Sequence, residues 1–214
     1  SIVPPLQPWP SRPLEGRVVL VTGGAQGIGR AIAQAVLGAG GRVAIGDLDA
    51  DAGRACLEEW NAGDDALFRR VDVMRERSVE RFVDAALARF GRIDGLVNDA
   101  GIVDPLVPPL PQLDLAEWNR RLSSLHGAFL CSKHALPALT ASAAGAIINI
   151  ASTRAWQSEA HSEAYAAAKG GVIAMTKAVG KECAGFDIAV NAITPATAKT
   201  RILDELKPEF IDYM

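Results

Sequence analysis

Six short apolar runs punctuate the chain, each bounded by turn residues, with stretches of mixed polarity between them. They are Val18-Val19-Leu20-Val21, Val43-Ala44-Ile45, Ala66-Leu67-Phe68, Gly95-Leu96-Val97, Ala146-Ile147-Ile148-Asn149-Ile150 and Ile188-Ala189-Val190. Short runs without polar alternation read as strands covered on both faces. The intervening segments 27–40, 51–61, 76–90, 115–140 and 162–184 read as helices. Strand–helix alternation of this kind predicts right-handed crossovers. The fold expected is α/β, a single domain with a doubly wound parallel sheet and helices on both faces. No internal repeat or linker interrupts it. Prolines at positions 4, 5, 8 and 10 predict an extended arm over residues 1–13, ahead of a domain at 14–214. The Pro-rich stretch 102–113 is expected to border a site.

Composition narrows the class without naming a chemistry. The chain has 214 residues, enough to bury a substantial core, and its apolar fraction of 49% is ordinary for a globular protein. A net charge of −3 gives no electrostatic reason to expect nucleic acid or an anionic membrane as a partner. No apolar run approaches the roughly 20 residues of a membrane span. Cys56, Cys131 and Cys183 lie far apart, with neither metal-ligand nor CxxC spacing. They read as reduced structural thiols in a cytoplasmic protein, and no metal site is expected.

The first apolar run leads directly into Thr22-Gly23-Gly24-Ala25-Gln26-Gly27-Ile28-Gly29-Arg30, which opens a helix. Glycines let the backbone turn tightly and approach a pyrophosphate, and the helix N-terminus offers free N–H groups and a positive dipole end. Asp47 follows eighteen residues after Gly29, at the end of the second run. A carboxylate there accepts hydrogen bonds from ribose hydroxyls and repels a 2′-phosphate. With Leu48 and Asp49 next in line and Gln26 uncharged, the reading favours NAD over NADP. Asp72, after the third run, either holds an adenine amino group or caps a local turn.

Tyr165 and Lys169 stand four residues apart on a helical stretch, thirteen and seventeen residues after Ser152. The spacing puts phenol and ammonium on one helix face. A phenol of pKa about 10 is a poor base at neutral pH. A fixed cation nearby is expected to lower that pKa, so that the Tyr exchanges a proton with an alcohol or carbonyl oxygen. Ser152 could supply a hydroxyl to the same oxygen. Together the three residues read as a proton-transfer site for alcohol–ketone chemistry.

These motifs resemble the classical short-chain dehydrogenase/reductase family. The matching elements are residues 22–29, Asp72-Val73, Asn98-Asp99-Ala100-Gly101, Ser152, Tyr165 with Lys169, and Asn191-Ala192-Ile193-Thr194-Pro195. The resemblance implies a Rossmann-type sheet, a nicotinamide cofactor and hydride transfer with Tyr165 as acid/base. It places the cofactor along Gly23, Gln26, Gly27, Ile28 and Gly29, then Asp47 and Leu48, then Asp72 and Val73. Asn98, Ala100 and Gly101, Tyr165 and Lys169, and Pro195 and Thr200 complete that track. It also implies a substrate lid from residue 196 onward, and a homotetramer or homodimer joined through segments 115–140 and 162–184.

Three departures from the family pattern stand out. Asp99 replaces an Asn and cannot donate as an amide does. Ser124 stands where the family carries an Asn that holds a backbone kink and a relay water. The chain stops inside the lid segment, before the family's seventh strand. The natural polypeptide is therefore expected to continue beyond Met214, and the sixth strand to present an unpaired edge.

Arg154, Trp156, Glu159, His161 and Glu163 give the segment after Ser152 a polar character suited to polyols, sugars or sugar acids. Arg154 could pair with a carboxylate. Two other readings stay open: a catalytically weak dinucleotide-binding protein with a regulatory or scaffold role, and an NADPH-dependent carbonyl or ketoacyl reductase.

Overall fold

The computed structural model describes residues 11–102, 106–196 and 198. Six strands form one parallel sheet: β1 (Val18–Thr22), β2 (Arg42–Asp47), β3 (Ala66–Arg70), β4 (Gly95–Asn98), β5 (Ala146–Ile150) and β6 (Ala189–Ile193). Their order is β3-β2-β1-β4-β5-β6, so the winding reverses between β1 and β4. The helices are α1 (Gly27–Gly38), α2 (Ala50–Trp60), α3 (Glu76–Phe90), α4 (Leu115–Arg121), α5 (Ser123–Thr140) and α6 (Glu163–Cys183). This is the doubly wound sheet expected from the alternating runs, and its C-terminal edge beside the reversal is where ligands bind in such sheets.

Alternating residues of each strand feed two separate cores. Val18 and Leu20 of β1 pack with Phe82 and Val83 of α3, Leu130 and Leu139 of α5, and Cys183 of α6. Val19 and Val21 face the other way, onto Ala33 and Val36 of α1 and Cys56 of α2. All five residues of β1 are buried, which is why its sequence shows no polar alternation. Full burial of a side chain such as Leu20, Ile45 or Phe82 stabilises by about 1.5–3 kcal/mol. The three cysteines are buried and unpaired, in keeping with structural thiols.

Helix ends follow local chemistry. Asp49 caps α2, its Oδ1 accepting from Asp51 N at 3.1 Å and Ala52 N at 3.0 Å. Gly91, at φ +75°, stops α3 in the left-handed conformation that glycine tolerates best. Segment 115–140 departs from the sequence reading. It is two helices, broken at Leu122, whose ψ of 6° leaves the helical range. The apolar periodicity continues through the break because Leu122 N still donates to Trp118 O at 3.3 Å and Asn119 O at 3.2 Å. Among the described residues β6 pairs with β5 alone, and Ile193 at its end is half exposed.

Candidate active site

Every site element sits on the C-terminal edge of the sheet because the strands are parallel and in close register. Thr22, Asn98 and Asn149 lie side by side on β1, β4 and β5. Asn98 Nδ2 donates to Asn149 Oδ1 at 2.8 Å and to Ser132 Oγ at 3.3 Å, and Asn149 Nδ2 donates to Thr176 Oγ1 at 2.9 Å. This buried chain crosses from the sheet to α5 and α6. It holds the end of β4 at a fixed height. Thr22 Oγ1 accepts from Asp99 N and Ala100 N, both at 3.2 Å, and so joins the glycine loop to the turn after β4.

The glycine loop is built for close approach. Gly23 and Gly27 adopt φ +68° and +55°, conformations that a side chain disfavours. A Cβ on Gly29 would stand 2.3 Å from Gly23 O and 2.8 Å from Asp99 Oδ2. Helix α1 starts with no side-chain cap at Gln26 and no acidic residue in its first turn. Its N-terminal N–H groups and positive dipole end therefore carry no cap from Gln26, and the Asp99 carboxylate lies beside the first turn at Gly29. Gln26 turns aside, its Nε2 on Asp49 Oδ2 at 3.1 Å, and Ile28 is half-buried in α1. The uncapped helix end and glycine cradle fit the pyrophosphate of a dinucleotide.

Asp47 closes the cradle. Its Oδ2 accepts from Ala25 N and its Oδ1 from Asp49 N, each at 3.1 Å, which leaves lone pairs on both oxygens. Leu48 is exposed, and Arg70 Nε at the end of β3 reaches Leu48 O at 3.2 Å. Sequence reasoning missed this cation. Pairing of the third apolar run beside the second in parallel register would have placed it opposite Asp47. Asp72 behaves as a turn residue, with Oδ1 on Met74 N at 3.0 Å and Oδ2 beside Arg75. Val73 packs towards Gly127 of α5.

The proton-transfer residues converge at the ends of β4 and β5. Ser152 is buried just after β5, beside Pro195, whose carbonyl accepts from Thr153 N at 3.0 Å. Tyr165 lies on the first turns of α6, near enough to Ser152 for the serine hydroxyl to favour the phenolate. Lys169, one turn on, is buried, its Nζ donating to Ile150 O at 2.8 Å and standing 5.7 Å from the Tyr165 ring centre. Ser124 is buried against Gly101, where a Cβ would come within 2.8 Å of Ser124 Cβ. Thr200 and the lid segment lie outside the described residues, apart from Ala196 and Ala198. Positions 1–10 of the expected arm lie outside them as well.

The electrostatics depart from the sequence reading at one point. Burial, the largest cause, pushes the Tyr165 phenol up rather than down, and the Asp99 charge adds to that. The groups that oppose it are the Ser152 hydroxyl and the Arg154 guanidinium. Lys169 is itself brought down to about 8 by burial, partly offset by Asp99. Asp99 is pushed up to about 6, again first by burial, against the pull of Lys169 and the Gly29 N–H and with the charge of Asp47 adding to the rise. Spacing on a helix reveals which groups are neighbours but not how dry their surroundings are.

Of the polar segment after Ser152, Arg154 and Glu163 are partly buried, Arg154 with 19% of its side chain exposed and its Nη1 2.9 Å from Glu159 Oε2. Trp156 is exposed at 66%, with Lys177 Nζ 5.9 Å from its ring centre. His161 is exposed at φ +65°, and its carbonyl accepts from Val107 N at 2.7 Å. That bond brings part of segment 102–113 against the site.

The short chain dehydrogenase pattern matches residues 17–210. The chain belongs to the short-chain dehydrogenase family. It is an NAD(P)-dependent oxidoreductase. It is 41% identical over 188 residues to cis-4-hydroxycyclohexanecarboxylate dehydrogenase of Sinomonas cyclohexanicum, covering 87% of this chain and 75% of that one. It is 36% identical over 200 residues to 2-dehydro-3-deoxy-L-rhamnonate dehydrogenase (NAD(+)) of Sphingomonas sp. (strain SKA58), covering 93% and 79%. D-threitol dehydrogenase of Mycolicibacterium smegmatis matches at 38% over 192 residues, covering 88% and 73%. Among the described residues no helix is long and apolar enough to cross a membrane, and no cluster of His, Cys, Asp and Glu could hold a metal ion.

Proposed function

We propose that this short-chain dehydrogenase interconverts a secondary alcohol and a ketone with NAD, on a polar substrate of the polyol, sugar or sugar-acid class. The observation that carries the reading is the convergence of Ser152, Tyr165 and Lys169 beside the glycine loop. NAD, when bound, supplies the hydride acceptor. Tyr165 takes the proton of the substrate hydroxyl, or returns it to a ketone oxygen. Ser152 holds that oxygen next to the phenol, through the same hydroxyl that favours the Tyr165 phenolate. Lys169, anchored on Ile150 O, keeps its ammonium at the phenol and is placed to bind the nicotinamide ribose. Burial makes the phenol a weak acid in the free protein, so proton transfer draws on the added charge and hydrogen bonds of the bound state. Ser124 lines the site beside Gly101 and stands in for the family's Asn. A rival role as a catalytically weak dinucleotide-binding protein has no use for all three transfer residues in one place.

Asp47 supports NAD, because its carboxylate and that of Asp49 would face a 2′-phosphate. Arg70, bonded to Leu48 O on the same rim, is the observation that favours NADP. The polar wall supports the substrate class. Arg154 lies close enough to lower the Tyr165 phenol, within reach of a substrate carboxylate. Two of the relatives above are named for acting on carboxylic acids. Exposed Leu115 on α4 and Phe129 on α5 support a homo-oligomer joined through these helices. The test is NAD and NADP reduction across polyols, aldonic acids and hydroxycyclohexanecarboxylates. Turnover of at least one polar alcohol with NAD is expected. Turnover confined to NADPH-driven ketone reduction would refute the cofactor assignment, and no turnover at all with intact nucleotide binding would favour the rival.

A further inference from the structure

We propose that Asp99 is a positioning residue whose carboxylate, lying against the first turn of α1 and in the field of the Lys169 ammonium, makes dinucleotide binding take up a proton. The inference rests on the reading that the dinucleotide lies along the glycine loop.

The geometry is tightly defined. Thr22 Oγ1 holds the Asp99 backbone N–H at 3.2 Å. The side chain faces Gly29, its Oδ2 2.8 Å from where a Gly29 Cβ would stand, and the Gly29 N–H favours the charged carboxylate. An anion therefore already stands beside the positive end of α1, next to where a pyrophosphate would bind. The groups facing it are Lys169 and Tyr165 from α6, Asp47 from β2, and the N–H dipoles of α1. Lys169 is the one cation among them.

A bound pyrophosphate adds about two negative charges beside this partly buried carboxylate. The Asp99 carboxylate is the charge least able to escape them, because Thr22 holds its backbone and its Oδ2 lies against Gly29. Repulsion raises its proton affinity, so by linkage a proton binds with the dinucleotide wherever Asp99 is still ionised in the free protein. The burial that lifts Asp99 to about 6 places this titration within the working range of the protein. Lys169 titrates higher, near 8, so a window from pH 5.5 to 7.5 separates the two. An amide at position 99 keeps the shape and removes the charge.

The experiment measures NADH affinity by fluorescence titration from pH 5.5 to 7.5, for the wild type and Asp99→Asn. Calorimetry in two buffers of different ionisation enthalpy counts the protons taken up. The expected result is wild-type binding about sixfold weaker at pH 7.5 than at 5.5, which corresponds to a one-unit rise in Asp99 proton affinity on binding. Asp99→Asn should bind with affinity flat within twofold, tighter than wild type at pH 7.5. A purely structural cap would shift affinity equally at every pH and leave the slope in place. A flat wild-type profile, or a slope that survives Asp99→Asn, overturns the inference while leaving the cofactor site standing. Failure of both proteins to bind NADH and NADPH at any pH overturns the site reading and the inference with it. Thermal melting without nucleotide confirms that the variant is folded before these comparisons.

Discussion

Asp94→Asn is the perturbation whose cost the structure states most directly. Asp94 is 4% exposed and lies just before β4, with five donors on its two oxygens. Arg92 Nε and Val18 N meet Oδ2, both at 2.9 Å. Arg92 Nη2 at 2.6 Å, Ser142 Oγ at 2.6 Å and Arg17 Nη1 at 3.1 Å meet Oδ1. These donors outweigh the burial that would raise the carboxyl, and they hold it well below the usual carboxylate range. An Asn has one acceptor oxygen and turns an NH₂ group towards donors, so at least two of the contacts are lost. Hydrogen bonds to charged groups contribute about 1.5–3 kcal/mol each, but both guanidiniums are at least a third exposed, which calls for the lower end. The expected loss is about 3 kcal/mol, or roughly 6–12 °C in melting temperature for a domain of this size. The pH dependence has a definite sign. A depressed folded-state pKa gives stability that is present above the unfolded value near 3.8 and is lost as pH falls below it. The gap between wild type and variant should therefore narrow by about 1 kcal/mol from pH 4 to pH 3. Urea unfolding at pH 7, 4 and 3 measures both quantities. A loss under about 1 kcal/mol at pH 7, or a gap that widens in acid, would refute the reasoning.

Tyr165→Phe should lower kcat by about 10²–10⁴ while the NADH dissociation constant stays within about threefold, since only the proton-transfer group is removed; turnover near wild type would exclude Tyr165 as the acid/base. Gly29→Ala should abolish nucleotide-induced thermal stabilisation, because its Cβ would stand 2.3 Å from a main-chain oxygen that cannot swing away; retained stabilisation would mean that the loop is not the phosphate site. Asp47→Ala should weaken NAD and leave NADP binding equal or tighter, with Arg70 then the dominant charge at the rim; unchanged discrimination in paired titrations would count against Asp47 as the selector.

The central strands were legible because they are dry on both faces: Val18 to Val21 offer no alternative to a central strand, and Val43 to Ile45 little. The glycine loop and the Ser152, Tyr165 and Lys169 set were legible because their spacing is local or carried by a known pattern. What stayed hidden depended on distance or on solvent. The break at Leu122 involves one backbone angle and leaves the apolar periodicity intact. The rise of the Tyr165 phenol depends on how much water its surroundings exclude, which no spacing encodes. Asp94 gathers donors from three segments up to 77 residues away in sequence, and in isolation it is an ordinary acidic residue before a strand. Asp99 was visible as an odd residue, yet its contact with Gly29 required the β1 and β4 ends to be placed side by side.

The bond from Val107 N to His161 O ties two site-bordering segments through main-chain atoms alone. Such a tie is indifferent to sequence, because any residue except proline at 107 supplies the donor and any residue at 161 the acceptor. Mutation can therefore exchange the side chains around the pocket while the tie stays fastened. A lineage of such enzymes can drift from one alcohol to another by small steps, with no intermediate in which the pocket wall comes loose.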